Sequence, residues 1–367
     1  MRKNQRTLRA VQTAQSHACP IEFAPIVATM PSAKLSKQRK TKADFGNIPR
    51  IGFDLMGNDN DPLDLINAVK SLDPKYPIHF VLIGDHSVSS ELKKIKSPHI
   101  DTILAKETIA MDEPPLLSIR QKKDSSLCIG MNLLKDKKID AFVSAGNTGA
   151  LMASAKKFLS MLPNILRPAL LALLPTRKKP VAVLDVGANV QCKAEHLIQF
   201  AEMGASFQMT RGIKKPRVGL LNIGTEALKG TSDLRLAYKE LTRKKRFSFE
   251  GNIEGKEIFE GNIDVLITDG FSGNVMLKTS EGLASFILDR LAENIPKKEF
   301  APWEALLQDL QGHLHYAEYP GALLCGVNGI VIKCHGYSTP HAIMNGIQGA
   351  AQMVRQDLLH SFSFILK

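Results

Sequence analysis

Ile139-Asp140-Ala141-Phe142-Val143-Ser144-Ala145-Gly146-Asn147-Thr148-Gly149-Ala150-Leu151-Met152 changes character twice. Ile139–Ser144 is a short apolar run of β type, Ser144–Gly149 is a polar turn with two glycines, and Thr148–Met161 has helical spacing. Strand, glycine turn and helix make one βα unit. Outward from it the same texture recurs. Strand-type runs fall at Ile51–Leu55, Ile78–Ile83, Thr102–Leu104, Leu170–Leu174, Val181–Leu184, Val218–Ile223, Phe247–Phe249, Val265–Thr268 and Ile330–Ile332. Helical stretches fit between most of them: Pro62–Leu72, Ile119–Lys135, Lys193–Met203 and Ser338–Leu359. The alternation predicts an α/β fold, a doubly wound and mostly parallel sheet with helices on both faces.

The 367-residue chain is 44% hydrophobic and 23% charged, ample for a soluble core. No apolar run reaches the ~18 residues needed to span a bilayer, and no hydrophobic stretch follows the basic N-terminal residues as a secretory signal requires. Five cysteines without a C-x-x-C pair argue against a disulfide framework or a zinc ribbon, so a reduced, cytoplasmic protein is expected. Residues 1–47 hold nine Lys and Arg against Glu22 and Asp44, a net +7 that leaves only +5 of the chain's +12 for the rest. They read as a basic, solvated extension ahead of a catalytic domain at 48–367. A remainder so mildly basic, with 6% aromatics, excludes a nucleic-acid footprint and favours an acidic partner or an anionic surface.

Ligands of such sheets bind beyond the carboxyl ends of strands. Five loops at those positions share one polar, glycine-containing composition: 57–62, 144–149, 185–189 with Lys193 and His196 following, 222–232, and 268–274 with Lys278 following. One cleft lined by all five is the expectation. Familiar motifs are missing. No G-x-G-x-x-G follows a strand, and Gly251–Lys256 is one spacer short of a P-loop, with Glu257 at its Ser/Thr position. His313 and His315 stand on different faces of a helix without a completing ligand, so no metal is expected. Ser144–Gly149 admits two readings: converging amides and a helix N-terminus for a phosphate or a developing oxyanion, or an ordinary turn capped by Asn147 or Thr148.

Taken together, several segments resemble the PlsX family of phosphate acyltransferases. They are Asp54-Leu55-Met56-Gly57, Val143–Met152, Leu184-Asp185-Val186-Gly187-Ala188-Asn189, Gly219–Gly224, Gly251–Gly255, Thr268–Val275 and Lys333-Cys334-His335-Gly336. They run in order across residues 49 to 358. Leu55, Asn58 and Asp61 depart from the family's D-A-M-G-G-D…G-P opening, and Pro320 stands where glycine is usual. The resemblance implies a fold like that of phosphotransacetylases and of isocitrate and isopropylmalate dehydrogenases. It implies transfer of a fatty acyl group from acyl-carrier protein to inorganic phosphate, without a cofactor, for phospholipid synthesis. It also implies a homodimer with peripheral membrane contact, feeding a downstream glycerol-3-phosphate acyltransferase. A coenzyme A-dependent phosphate acyltransferase and a weakly catalytic membrane-associated scaffold are the alternatives.

That reaction needs a phosphate dianion held near a thioester carbonyl and donors for the tetrahedral oxyanion. Ser144, Gly146, Asn147, Thr148 and Gly149 are the candidate contacts, with Asn189 and Lys193 balancing the second charge. His196 is the candidate proton donor to the leaving thiol, and Lys229, Asp269 and Asn274 extend substrate binding. Arg120, Lys122 and Lys123 read as a basic helix for phosphopantetheine, and with Lys193, Lys214 and Lys215 as a surface for the acidic carrier protein. Cys192 precedes His196 by one helical turn, so an acyl-cysteine relay is conceivable, although an inert thiol is the simpler reading. At 283–314, Leu283, Phe286, Ile287 and Leu291 form one stripe and Trp303, Leu306, Leu307, Leu310 and Leu314 another, read as a protruding helical hairpin.

Overall fold

Alternation along a strand decides the layers. In β2 (His79–Gly84), Phe80 and Leu82 join one buried cluster while Val81 and Ile83 join another on the opposite face, because successive side chains point to opposite sides of a sheet. The other strands are β1 (Arg50–Asp54), β3 (Ile100–Leu104), β4 (Ala141–Ser144), β5 (Ala169–Leu174), β6 (Val181–Leu184), β7 (Arg217–Leu221), β8 (Ser248–Ile253), β9 (Val265–Ile267), β10 (Ala322–Cys325) and β11 (Ile330–Lys333). The computed structural model describes residues 48–57, 59–72, 77–295, 303, 306, 321–336 and 338–365. Residues 1–47, His313, His315 and Pro320 lie outside them. The described residues belong to one compact unit.

The helices are α1 (Pro62–Leu72), α2 (Ser89–Lys94), α3 (Pro115–Gln121), α4 (Ser126–Lys135), α5 (Thr148–Phe158), α6 (Ala194–Thr210), α7 (Ser232–Leu241), α8 (Gly270–Asn294), α9 (Pro340–Arg355) and α10 (Leu358–Ile365). Leu65, Leu197, Ala237 and Ile347 place α1, α6, α7 and α9 on the first face. Ile119, Met131, Leu151 and Leu277 place α3, α4, α5 and α8 on the second.

Strand order among the described residues is β3-β2-β1-β4-β11-β10-β5-β6-β9-β7-β8. Most neighbours are parallel, but β10 runs against both β11 and β5, and β5 runs against β6. The sheet therefore has two parallel halves of opposite sense. The carboxyl ends of β1, β4 and β11 point one way, and those of β6, β9 and β7 the other.

The expected strands appear within a residue or two of their places, except that Phe247–Phe249 extends to Ile253 and Ala322–Cys325 has no counterpart in the sequence reading. The single helix expected over Ile119–Lys135 is two. The break falls at Lys122–Ser125, where the Ser125 side chain accepts from the Cys128 amide and caps α4. Helix α6 runs on to Thr210, and the C-terminal helix divides after Arg355. Asp61, one of the departures in the opening motif, accepts from the Leu63 amide ahead of α1. Of the hairpin at 283–314, α8 supplies the first helix; of the second, only Trp303 and Leu306 are described, both exposed. No described helix is long and apolar enough to cross a membrane.

Candidate active site

β1 and β4 lie side by side with Asp54 opposite Ser144. Asp54 accepts from the Met56 amide at 3.0 Å and from Ser144 Oγ at 3.0 Å. Ser144 Oγ in turn accepts from the Gly146 amide at 3.1 Å. Burial pushes the Asp54 carboxyl up to about 6, against hydrogen bonds from Ser126, Met56 and Ser144 and the attraction of Lys333. This chain of bonds fixes the turn that enters α5.

Asn147 caps that helix: its Oδ1 accepts from the Ala150 amide at 3.0 Å. Its Nδ2 lies within 3.0–3.2 Å of the carbonyls of Ala110, Met111 and Glu113. The expectation of Asn147 as an oxyanion donor meets a geometric obstacle, since its amide hydrogens are committed to the strap 110–113. That strap lies close over the turn, and a Cβ on Gly149 would sit 2.5 Å from Pro115 Cγ, so glycine is required there. Lys122 is committed too, with Nζ 2.6 Å from Glu113 Oε1 and 2.7 Å from the Thr108 carbonyl. Arg120 and Lys123 are exposed. Thr148 and Gly149 hold the first two helical positions of α5, and Asn147 caps neither of their amides.

Lys333, to which the sequence reading assigns no role, ends β11 opposite Ser144 and is 8% exposed. Its Nζ donates to the carbonyls of Ala145, at 3.2 Å, and Cys334. Burial pulls the ammonium down to about 8, with Lys278 acting the same way and Cys334, Asp54 and Asp59 opposing. A strand-end lysine reads as solvated; only the central position of β11 in the sheet buries it.

The second half presents a different arrangement. Asp185 is fully buried and accepts five hydrogen bonds of 2.7–3.1 Å, from the amides of Leu170, Gly187, Ala188 and Asn189 and from Asn189 Nδ2. Asn189 Nδ2 also donates to the Pro168 carbonyl at 2.8 Å. His196 is buried, and its Nδ1 accepts from the Lys193 amide at 3.0 Å, capping α6. Burial and Arg167 lower its pKa, which disfavours the protonated form expected of a thiol acid. Burial, Asp185 and Asp269 push the Cys192 thiol up to about 12, which removes the thiolate that a relay requires. The Lys193 side chain is exposed. Asp269 caps α8, accepting from Ser272 N at 2.7 Å, and Lys229 is an exposed lysine 3.8 Å from Glu226.

The five loops thus divide between strand ends of opposite sense instead of gathering at one. Helix α8 links two of the groups. In its first turns Asn274 Nδ2 donates to the Val186 carbonyl at 3.1 Å. One turn later Lys278 Nζ stands 2.9 Å from His335 Nδ1 and 2.8 Å from Glu281 Oε2. Burial opposes ionisation of Glu281, but hydrogen bonds from His335 and Lys278 hold it down at about 2. The structure brings Ser144, Gly146, Asn147, Thr148 and Gly149 together with Lys333. Lys193 precedes α6 as its N-cap and His196 lies in its first turn; that helix packs on the face opposite α5 and α8. Lys214 and Lys215 enter β7 at the end opposite its 222–231 loop. Among the described residues, no three His, Cys, Asp or Glu gather as a metal-binding group.

The chain has known relatives. A family model described as fatty acid synthesis protein matches residues 49–361. A phosphate acyltransferase of Halothermothrix orenii is 42% identical over 321 residues, covering 84% of this chain and 96% of that one. Another, of Pseudomonas fluorescens, is 41% identical over 319 residues, covering 84% and 95%. Among solved structures, a phosphotransacetylase from Streptococcus pyogenes matches with a TM-score of 0.57 at 17% identity, over 84% of this chain and 95% of that one. A branched-chain phosphotransacylase from Enterococcus faecalis gives 0.55 at 12%, over 83% and 99%. These two likenesses show the fold: a mixed parallel and antiparallel α/β architecture of phosphotransacetylase type. The sequence matches show the family: this chain belongs to the fatty acid synthesis protein family, that of the PlsX phosphate acyltransferases.

Proposed function

We propose that this phosphate acyltransferase moves a fatty acyl group from an acyl-carrier protein thioester to inorganic phosphate at the start of α5. The observation that carries the reading is the pair of amides, Thr148 and Gly149, that find no acceptor among the described residues, on a turn fixed by Asp54 and Ser144. A phosphate oxygen attacks the thioester carbonyl carbon, and the tetrahedral oxyanion draws on such donors. Collapse breaks the C–S bond, the electron pair leaves on sulfur, and the proton of hydrogen phosphate passes to it. One thioester and one hydrogen phosphate give one acyl phosphate and one thiol, with charge conserved. Gly146 and Ser144 shape the turn, and Asn147 positions it.

Arg120 and Lys123 are exposed and suit the acidic carrier protein. Purified protein, phosphate and either acyl-carrier protein or acyl-coenzyme A, with acyl phosphate trapped by hydroxylamine, tests the reading. Preference for the carrier protein supports it; preference for coenzyme A transfers the site to that donor; silence with both overturns it. The same reading includes a cytoplasmic homodimer with peripheral membrane contact. The exposed stripe Leu283, Phe286, Ile287 and Leu291 with Trp303 and Leu306 is its surface. Leu306→Glu is expected to split the dimer or weaken sedimentation with anionic vesicles, and no change in either removes the stripe from this role. The kinship of fold to isocitrate and isopropylmalate dehydrogenases belongs to the same proposal.

A further inference from the structure

A phosphate dianion held against backbone amides also needs a cation, and Lys193 is exposed at the start of a different helix. The α5 turn has another candidate. Lys333 Nζ has three donors, and the Ala145 and Cys334 carbonyls accept two of them. No acceptor for the third and no carboxylate within ion-pair distance occurs among the described residues; Asp54 and Asp59 act on it only from farther away. An ammonium so buried without a paired charge is costly, and an anion arriving beside it would offset that cost. The Ala145 carbonyl that holds it belongs to the same turn as the Thr148 and Gly149 amides. Strand pairing sets this position: Lys333 lies opposite Ser144, and the Cys334 amide donates to the Ser144 carbonyl at 3.0 Å.

We propose that Lys333 is the cation that binds inorganic phosphate in this enzyme, its ammonium pairing with one charge of the dianion while the Thr148 and Gly149 amides hold the oxygens. The inference rests on the phosphate acyltransferase reading and names the residue that reading lacks. The ammonium stays protonated throughout and offsets charge as it passes from phosphate to the carbonyl oxygen.

The test is Lys333→Met in the full chain. Phosphate is expected to raise the melting temperature of the wild type and to leave that of the variant unchanged. The KM for phosphate is expected to rise at least about tenfold, as loss of a charged contact implies, with KM for acyl-carrier protein within about twofold. Lys333→Arg is expected to recover part of the phosphate response. A merely structural lysine gives the reverse pattern, a less stable variant with an unchanged KM for phosphate, and that result overturns the proposal. If the methionine variant does not fold, reductive methylation of the wild type decides. Slower labelling of Lys333 in saturating phosphate supports the assignment, and an unchanged rate overturns it. A wild type that makes no acyl phosphate defeats the reaction reading, while the melting and labelling measurements still judge Lys333.

Discussion

The starts of α5 and α6 have almost the same ingredients and opposite outcomes. Each follows a four-residue strand, β4 or β6, through a turn containing glycine and asparagine. At α6 the turn consumes its own donors. Asp185 takes four amides and a side-chain N–H, His196 caps the helix, and the Ala194 amide donates to Asp233 at 3.1 Å. At α5 the equivalent carboxylate, Asp54, comes from a neighbouring strand and takes the Met56 amide of its own loop and the hydroxyls of Ser144 and Ser126. The Thr148 and Gly149 amides find no acceptor among the described residues. Composition marks both loops as polar; the accounting of donors separates a turn with open amides from one whose donors are spent.

Paired proline substitutions should break this comparison if it is wrong. Proline is tolerated at the first helical position and removes its N–H. Thr148→Pro is expected to lower kcat/KM by about 10²-fold, the usual effect of losing one oxyanion donor, with little change in melting temperature. Ala194→Pro is expected to do the opposite, removing the bond to Asp233 at a cost of about 1 kcal/mol while turnover stays within about twofold. Equal activity losses in both variants would sink the distinction between the turns.

A second measurement concerns Asp54. Its pKa is raised from 3.8 to about 6 in the folded chain, so the native state binds the proton more tightly than the unfolded state. Its contribution is fully present below the unfolded value near 4 and is lost as pH rises through about 6, on the order of 3 kcal/mol in all. Glu281, depressed to about 2, contributes in the opposite sense at lower pH. The difference in unfolding free energy between wild type and Asp54→Asn isolates the Asp54 term. A difference that does not change between pH 4 and 7 would show that the carboxyl titrates normally.

The smallest effect belongs to His196. Replacing it with alanine removes the acceptor for the Lys193 amide, which costs about 1 kcal/mol for a helix cap, and is expected to leave at least half of the turnover. A loss of activity beyond tenfold with stability intact would return His196 to the chemistry.

Much of the fold is legible because both faces of the sheet are buried, which makes its strands short apolar runs between glycine-containing turns. Ala322–Cys325 escapes notice for a physical reason. Four residues in an antiparallel excursion have no helix after them, and Tyr319-Pro320-Gly321 directs attention to a turn. Part of the site is legible as well, since Ser144–Gly149 stands out as a strand-to-helix turn. Which of its donors remain open is not, because Asn147 finds its acceptors in a strap more than thirty residues earlier in the chain. Lys333 is harder still, lying between β10, which just precedes it in the chain, and β4, which comes from a distant part of the sequence.

The place of β11 has a consequence for synthesis. It is inserted between β4 and β10, and its lysine reaches a carbonyl 188 residues earlier in the chain. While the chain emerges from the ribosome, β4 is therefore an open edge, with unpaired amides and carbonyls able to template wrong pairings. Both the edge and the buried cation wait until synthesis has reached Lys333, 188 residues after Ala145. A truncated product lacking β11 would be aggregation-prone and without its phosphate cation for one and the same reason.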